Sequence, residues 1–456
     1  MISAILTALL FAIVLLLTCI AYLNNRARSY CAGGFIFSPV PFILLNYFLI
    51  FAYRPFVVLS YDAPTLNYVN IDPTRAYQVI QLGLLSLIAV LLPYLVKIRS
   101  HQNFHGPKLR FVSNFSVNRL VWLNLLLFLL VVLGVSIYGS ALNNTGDRIE
   151  NPGAYRGFFV FIVVQRFHFV LSALTFYIYH SLNSGYSIQK LFLLLSLVLA
   201  PFLSLLAAGR GAVFYILIAY LIIYVLTNSL RITWKHIFFV GILGVVFSYA
   251  NFILAIVRVV ISTPDWQLSD VIDALSSNLS VVRLEDSLIL ASWDYSVFDV
   301  FVNIVNELDA HTLGVTNLQY FLSYVPRIFW PEKPLDQGFM LYITNKFYSD
   351  VFSQTGSTFA GTLAGEGYLN FGIVGIVLYS FIFSSVLFLI YRTAIKKSGH
   401  YSVIIYGLAF PYAQQVIRGG LDVMVNFAIM IVIPLLLLTT IVRHSRLNVA
   451  LPVSNS

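Results

Sequence analysis

The sequence predicts an all-α polytopic membrane protein, and three observations carry that expectation. Apolar runs of about 20 residues, the length that crosses a bilayer, recur along the 456-residue chain. All 18 acidic residues fall in, or within two residues of, alternate gaps between those runs, so one membrane face carries every carboxylate and the other carries none. The composition is 59% hydrophobic and 10% charged with a mean hydropathy of +0.86, which belongs to an integral membrane protein rather than a soluble core.

About eleven transmembrane helices (10–12) are expected, near 2–23, 37–60, 77–97, 117–138, 157–180, 190–207, 212–228, 236–260, 367–391, 400–417 and 421–441. Residues 1–23 are read as the first span rather than a signal peptide. They lack a basic leading segment and run into Asn24-Asn-Arg-Ala-Arg28 instead of a small-residue cleavage site. Arg26, Arg28, Lys97, Arg99, Lys108, Arg110, Arg119, Lys190, Arg231, Lys235, Arg392, Lys396, Lys397, Arg443 and Arg446 then share the face without carboxylates. Short loops rich in Lys and Arg stay in the cytoplasm, and no short loop of the acidic face contains a lysine. The acidic face is therefore expected to be the outer one, with the N-terminus outside and the C-terminus inside. The busy face is then the one away from the cytoplasm.

The net charge of +9 is mostly this cytoplasmic basic rim, which suits anionic lipid headgroups and implies no nucleic-acid partner. Of the two cysteines, Cys19 lies in the first span and Cys31 just beyond it, and their spacing offers neither a metal site nor a disulfide framework. Three segments follow: a first transmembrane block of eight spans (1–260), a large outer loop (261–366), and a second block of three spans with a short cytoplasmic tail (367–456). Within the loop, 268–278 and 283–308 place Leu290, Val297, Val300, Ile304 and Leu308 at helical spacing between carboxylates. They are expected to be amphipathic helices lying on the membrane surface. Tyr324-Val-Pro-Arg-Ile-Phe-Trp-Pro-Glu-Lys-Pro334 holds three prolines and reads as a rigid irregular segment.

The chemistry is expected on the outer face. Six of the chain's eight lysines are cytoplasmic, whereas the outer cations are mostly arginines, whose planar fork fits phosphate or carboxylate oxygens. Arg54, Arg166, Arg210, Arg258 and Arg418 sit at or inside span ends, where an arginine usually faces a cavity or a partner. Arg210 and Arg418 each lie in a tight glycine-flanked turn followed by a helix N-terminus, which favours an anion. For a single interfacial arginine, snorkelling or capping helix carbonyls is the competing role. A cationic pocket at the outer leaflet suits a lipid-linked pyrophosphate, a leaving group that arginines stabilise without a general acid. An attacking sugar hydroxyl would still need a base. The outer candidates are Glu366, His311 and Asp422, with Glu307 and Asp309 behind them; for Asp422 the competing role is a pair with Arg418, four residues before it. Asp62 and Asp72 are ten residues apart, which gives no close carboxylate pair for a metal; no metal or cofactor is expected.

Val325-Pro-Arg-Ile-Phe-Trp-Pro-Glu-Lys-Pro334, followed by Gly356-Ser-Thr and Gly365-Glu-Gly-Tyr-Leu-Asn-Phe-Gly372, resembles the loop and re-entry motif of bacterial oligosaccharide repeat-unit (O-antigen, Wzy-type) polymerases, including the enterobacterial common antigen polymerase. Ala208-Gly-Arg-Gly-Ala212 and Val416-Ile-Arg-Gly-Gly-Leu-Asp422 resemble that family's outer Gly/Arg turns. The resemblance implies a metal-independent, GT-C-like glycosyltransferase. It would move a growing glycan from undecaprenyl pyrophosphate onto a lipid-linked repeat unit, with a chain-length regulator protein as partner. Arg210, Arg258 and Arg418 would bind the donor pyrophosphate, while Arg283 and Arg327 would hold the second carrier or its sugars. Two alternatives stand beside this reading: an O-antigen ligase using a lipid A core acceptor, and a lipid-linked oligosaccharide flippase. Transporters favour repeated halves and midplane sites, and no internal repeat is evident here.

Overall fold

The structure is a computed structural model. It describes residues 38–61, 71–96, 116–143, 158–182, 187–208, 210–228, 295–323, 338–350, 358–396 and 400–443, with scattered single positions elsewhere. The expected spans at 2–23 and 236–260 lie outside the described residues, apart from a fragment at Phe11 and Ala12. The described chain is almost entirely helical, as expected, and forms no strand.

Among the described residues, six helices are long and apolar enough to cross a membrane: Pro39–Ser60, Pro73–Tyr94, Val117–Tyr138, Val160–His180, Leu363–Ile395 and Leu421–Val442. The chain is thus a multi-pass membrane protein. Shorter apolar helices, Ile188–Pro201 and Val213–Thr227, occupy two further expected spans. The expected span at 400–417 is a continuous helix, His400–Gly419, with Pro411 inside it.

Two compact units divide the chain. The first comprises Met1–His105, Ser229–Lys396 and Tyr412–Met424. Its membrane part contains α1 (Pro39–Phe48), a π-helical turn at Leu49–Tyr53, α2 (Arg54–Tyr61) and α3 (Pro73–Val96). Chain-distant hydroxyls join these helices: Tyr47 to Ser86 at 2.7 Å, and Ser86 to Ser380 at 2.7 Å. Where apolar packing alone offers no specificity between helices in lipid, such hydroxyl pairs fix register. Gly83 lies beneath the Phe51 ring, with no room for a side chain.

The second unit comprises Gly106–Asn228, Lys397–Pro411 and Val425–Ser456. It contains α4 (Val117–Asn143), α5 (Phe158–Ser181), α6 (Ser187–Ala208) and α7 (Arg210–Asn228). Asn124 on α4 donates to Thr175 on α5 at 2.8 Å, and the Phe176 and Tyr220 rings stack at 4.5 Å. Trp122, Leu126, Leu129 and Leu133 on α4 remain exposed, an apolar stripe that suits lipid tails.

In the first unit, the loop segment expected to lie on the membrane surface is partly corrected. Residues Val297–Glu307 do form a helix, α8, but Val297 through Val305 are all buried. Two polar positions that would have faced water are satisfied inside the protein. Asp299 takes a two-point ion pair from Arg54, Nε to Oδ1 at 3.1 Å and Nη2 to Oδ2 at 2.5 Å, with Arg54 fully buried. Asn303 donates to the Tyr348 hydroxyl at 2.6 Å, and burial lifts that phenol's pKa above the ordinary tyrosine range. Of the expected amphipathic stretch 268–278, helical backbone is described only at isolated positions.

Three further loop and span elements complete the first unit: α9 (Val315–Ser323), α10 (Phe339–Phe347) and α11 (Leu363–Lys396). After them come α12 (His400–Gly419) and α13 (Leu421–Phe427), of which Tyr412–Met424 belongs to this unit. A π-helical turn at Ala428–Val432 and α14 (Ile433–Val442) follow in the second unit.

Candidate functional site

The motif Gly365-Glu-Gly-Tyr-Leu-Asn-Phe-Gly372 opens α11, and its glycines determine the shape. Phe371 and Gly372 leave helical geometry, with Gly372 at φ 62° and ψ −142°, so α11 is two helical pieces rather than one straight rod. Gly367 and Gly375 meet backbone to backbone, a contact that any β-carbon would block. The first piece, residues 363–370, thus folds back on the second. The span expected at 367–391 begins at Ile373, leaving residues 373–396 to cross the membrane, roughly 36 Å of helix.

The short first piece is a platform of polar side chains that cap neighbouring helices. Its own start is capped by Thr362, whose hydroxyl accepts the Gly365 N–H at 2.8 Å. At its far end the carbonyls of Leu369 and Asn370 accept the N–H groups of Thr312 and Leu313, both at 3.0 Å. The Asn370 side-chain oxygen accepts from the Thr312 hydroxyl, the Gly314 N–H and the Thr316 hydroxyl at 2.7, 3.0 and 3.0 Å, which satisfies the start of α9.

Glu366 sits between these ends and is fully buried. Its Oε1 accepts from the Asn317 amide at 2.7 Å, and its Oε2 accepts the Leu421 N–H at 2.5 Å. The Tyr379 hydroxyl in turn donates to the Asn317 amide oxygen. Glu366 therefore serves as an N-cap for α13 supplied from another helix, where a carboxylate is favoured by the helix dipole. Gly420, at φ 96°, makes this approach possible, because a β-carbon there would lie 2.9 Å from Cδ of Glu366.

Asp422, in the first turn of α13, is also buried and repeats the device. Its Oδ2 accepts the Phe339 N–H at 2.6 Å, at the start of α10. The competing role, a pair of Asp422 with Arg418 on one helical face, is not what the structure shows. Gly419 and Gly420 end α12 before Asp422, so the two residues do not share a helical face. Arg418 is half-buried, its carbonyl accepts the Thr362 N–H at 2.9 Å, and its guanidinium has no hydrogen-bond or ion-pair partner among the described residues.

His311 is exposed and lies against the α11 bend. Its ring stands edge-on to Tyr368 at 5.6 Å, and a β-carbon on Gly372 would come within 3.0 Å of its Nε2. The two backbone hydrogen bonds from Thr312 and Leu313 hold it there.

Four of the expected site residues thus share one unit: Glu366, Asp422, Arg418 and His311 surround the glycine-rich bend and the turn before α13. Arg210 begins α7 and Arg166 is a half-buried residue in the middle of α5, both in the other unit. Arg258, Arg283 and Arg327 lie outside the described residues. Sequence reasoning missed Asn317, Asn370, Thr362 and Tyr379. Asn370 carried a usable signal, being one helical turn beyond Glu366 in the same glycine-rich motif. Asn317 carried none. Among the described residues no cluster of three His, Cys, Asp or Glu could hold a metal ion.

Compared with known proteins, the chain matches no family model, no curated sequence and no solved structure.

Proposed function

We propose that this protein is a metal-independent, GT-C-like glycosyltransferase of the oligosaccharide repeat-unit polymerase class. Its site would face the periplasm from the inner membrane. The observation that carries the reading is Arg418. Arg418, half-buried and without a side-chain partner among the described residues, stands at a double-glycine turn braced by the buried Glu366, and its fork is suited to an external anion. The anion is the pyrophosphate of an undecaprenyl-linked donor.

In this reading the acceptor sugar hydroxyl attacks the anomeric carbon of the donor glycan. The bond from that carbon to the pyrophosphate oxygen breaks with its electron pair, leaving undecaprenyl pyrophosphate, and Arg418 stabilises the charge that develops on it. The hydroxyl proton passes to a base. Of the three candidates, His311 alone is exposed, whereas Glu366 and Asp422 are buried with their oxygens accepting N–H groups. His311 is therefore the base the geometry favours. By the family resemblance, Arg258 would add to donor binding, and Arg283 and Arg327 would hold the second carrier.

The test is the surface glycan of a deletion strain. Synthesis and flipping of the repeat unit, and ligation to the final acceptor, do not need this enzyme. Loss of a polymerase leaves surface molecules bearing one repeat unit and abolishes the ladder of longer chains, and wild-type protein restores the ladder. Loss of the single-unit molecules as well would overturn the reading in favour of a flippase or a ligase.

A further inference from the structure

We infer that Glu366 is a positioning residue for Arg418 and that Asn317 sets its hydrogen-bonding state. The inference rests on the reading of Arg418 as an anion fork, but its geometric part stands without it.

The first piece of α11 and the Thr362 that caps it hold the Arg418-Gly-Gly-Leu421 turn at both ends. Thr362 ties the Arg418 carbonyl through its N–H at 2.9 Å, and Glu366 ties the Leu421 N–H at 2.5 Å. Between these ties the backbone of Gly420 lies directly against the Glu366 carboxylate, at a φ of 96° that only glycine adopts without strain. The turn that aims Arg418 is thereby braced on both sides.

Asn317 completes the arrangement. The Tyr379 hydroxyl donates to its amide oxygen, which turns its NH₂ group toward Glu366 Oε1. Both Glu366 oxygens consequently accept from N–H donors, and the side chain is fully buried. One lone pair on each oxygen is thus committed to a neighbouring helix or side chain, and the buried carboxyl offers no exposed face to an incoming sugar hydroxyl. Its role in function is to hold the turn.

Cap and base predict opposite behaviour for an amide at this position. In Glu366→Gln the amide oxygen still accepts the Leu421 N–H, and Asn317 can rotate its amide to accept from the new NH₂ while donating to the Tyr379 oxygen. In Asn317→Asp two carboxylates face each other, and the brace is lost. In the double variant Asn317→Asp/Glu366→Gln the introduced aspartate accepts from both the glutamine amide and Tyr379, and every group is again paired.

The experiment uses the purified full-length protein in lipid nanodiscs. Amide hydrogen exchange of the segment 416–424 and affinity for inorganic pyrophosphate are measured on each variant, and chain elongation is scored in a deletion strain. Glu366→Ala and Asn317→Asp should speed exchange and weaken pyrophosphate binding by about tenfold, the scale of a lost helix cap. Glu366→Gln and the double variant should stay within about threefold of wild type, well under the effect of a lost cap, and should support elongation. Unchanged exchange in folded Glu366→Ala overturns the brace. Loss of elongation in Glu366→Gln with pyrophosphate affinity retained overturns the positioning role in favour of a base. A wild-type protein that shows the exchange pattern but binds no pyrophosphate overturns the anion-fork reading alone, and the brace stands.

Discussion

Gly372 and Gly420 set the positions from which His311 and Glu366 present their polar atoms. At Gly372 the backbone occupies φ 62° with ψ −142°, a region closed to side chains, and the His311 ring fills the space a β-carbon would need. Gly372→Ala should therefore act twice: strain of about 1–3 kcal/mol should lower the thermal midpoint, and displacement of the imidazole should depress elongation even in the folded fraction. An unchanged melting curve and a normal glycan ladder would remove both effects. At Arg418 the fork itself is the issue. Arg418→Lys keeps the charge but loses the bidentate geometry, so it should rescue elongation poorly, and Arg418→Ala should abolish it while the protein remains inserted and abundant. Full activity of the lysine variant would reduce Arg418 to a structural cation.

The helices are more legible in the sequence than their partners are. An apolar run marks where a chain crosses a bilayer, and Val117–Tyr138 falls on the expected 117–138 for that reason. Two elements differ from expectation because the pattern along one helix does not reveal what covers it. The helix Val297–Glu307 alternates apolar residues with Asp299 and Asn303, which looks like a wet face, yet Arg54 and Tyr348 supply that face from positions distant in sequence. The glycine-rich start of α11 reads as a re-entry point, but nothing in the string Gly365–Gly372 foretells that Glu366 caps α13 and Asn370 caps α9. Cross-element capping depends on tertiary placement, to which sequence spacing is blind.

The buried ion pair gives a test at this scale. Arg54→Met should leave Asp299 without its partner at the heart of α8 and cost about 3–5 kcal/mol, read as a fall in the thermal midpoint of the purified protein. Arg54→Met/Asp299→Leu removes both charges and should recover most of that loss, because an apolar pair of similar volume is often neutral or better than a buried ion pair. Equal destabilisation in the single and double variants would show that packing rather than charge holds α8 in place.

Over the whole molecule, the charge map makes a claim about sidedness that the contacts within each unit support. In the second unit, Arg119 donates to the Ile441 and Arg443 carbonyls at 3.2 and 3.1 Å, and the Ser116 N–H meets the Val442 carbonyl at 2.8 Å, so residues assigned to the basic face lie at one end. In the first unit, Arg418, Asp422, Glu366, Thr312 and Phe339, all assigned to the acidic face, lie together. Contacts of this kind fix which ends share a face and leave its identity to the distribution of Lys and Arg in the short loops. The sequence expectation assigns Lys97, Lys108, Lys190, Lys235, Lys396 and Lys397 to the basic face, and short loops of that composition are retained in the cytoplasm. A reporter active only in the cytoplasm should therefore work when fused after Lys397, and one active only after export should work when inserted near Asn345, at the end of α10. The two positions are separated by the single crossing of residues 373–396. Both reporters active on one side would mean that this helix does not span the bilayer, and Arg418 and His311 would then lose the outer-face placement on which the proposed function rests.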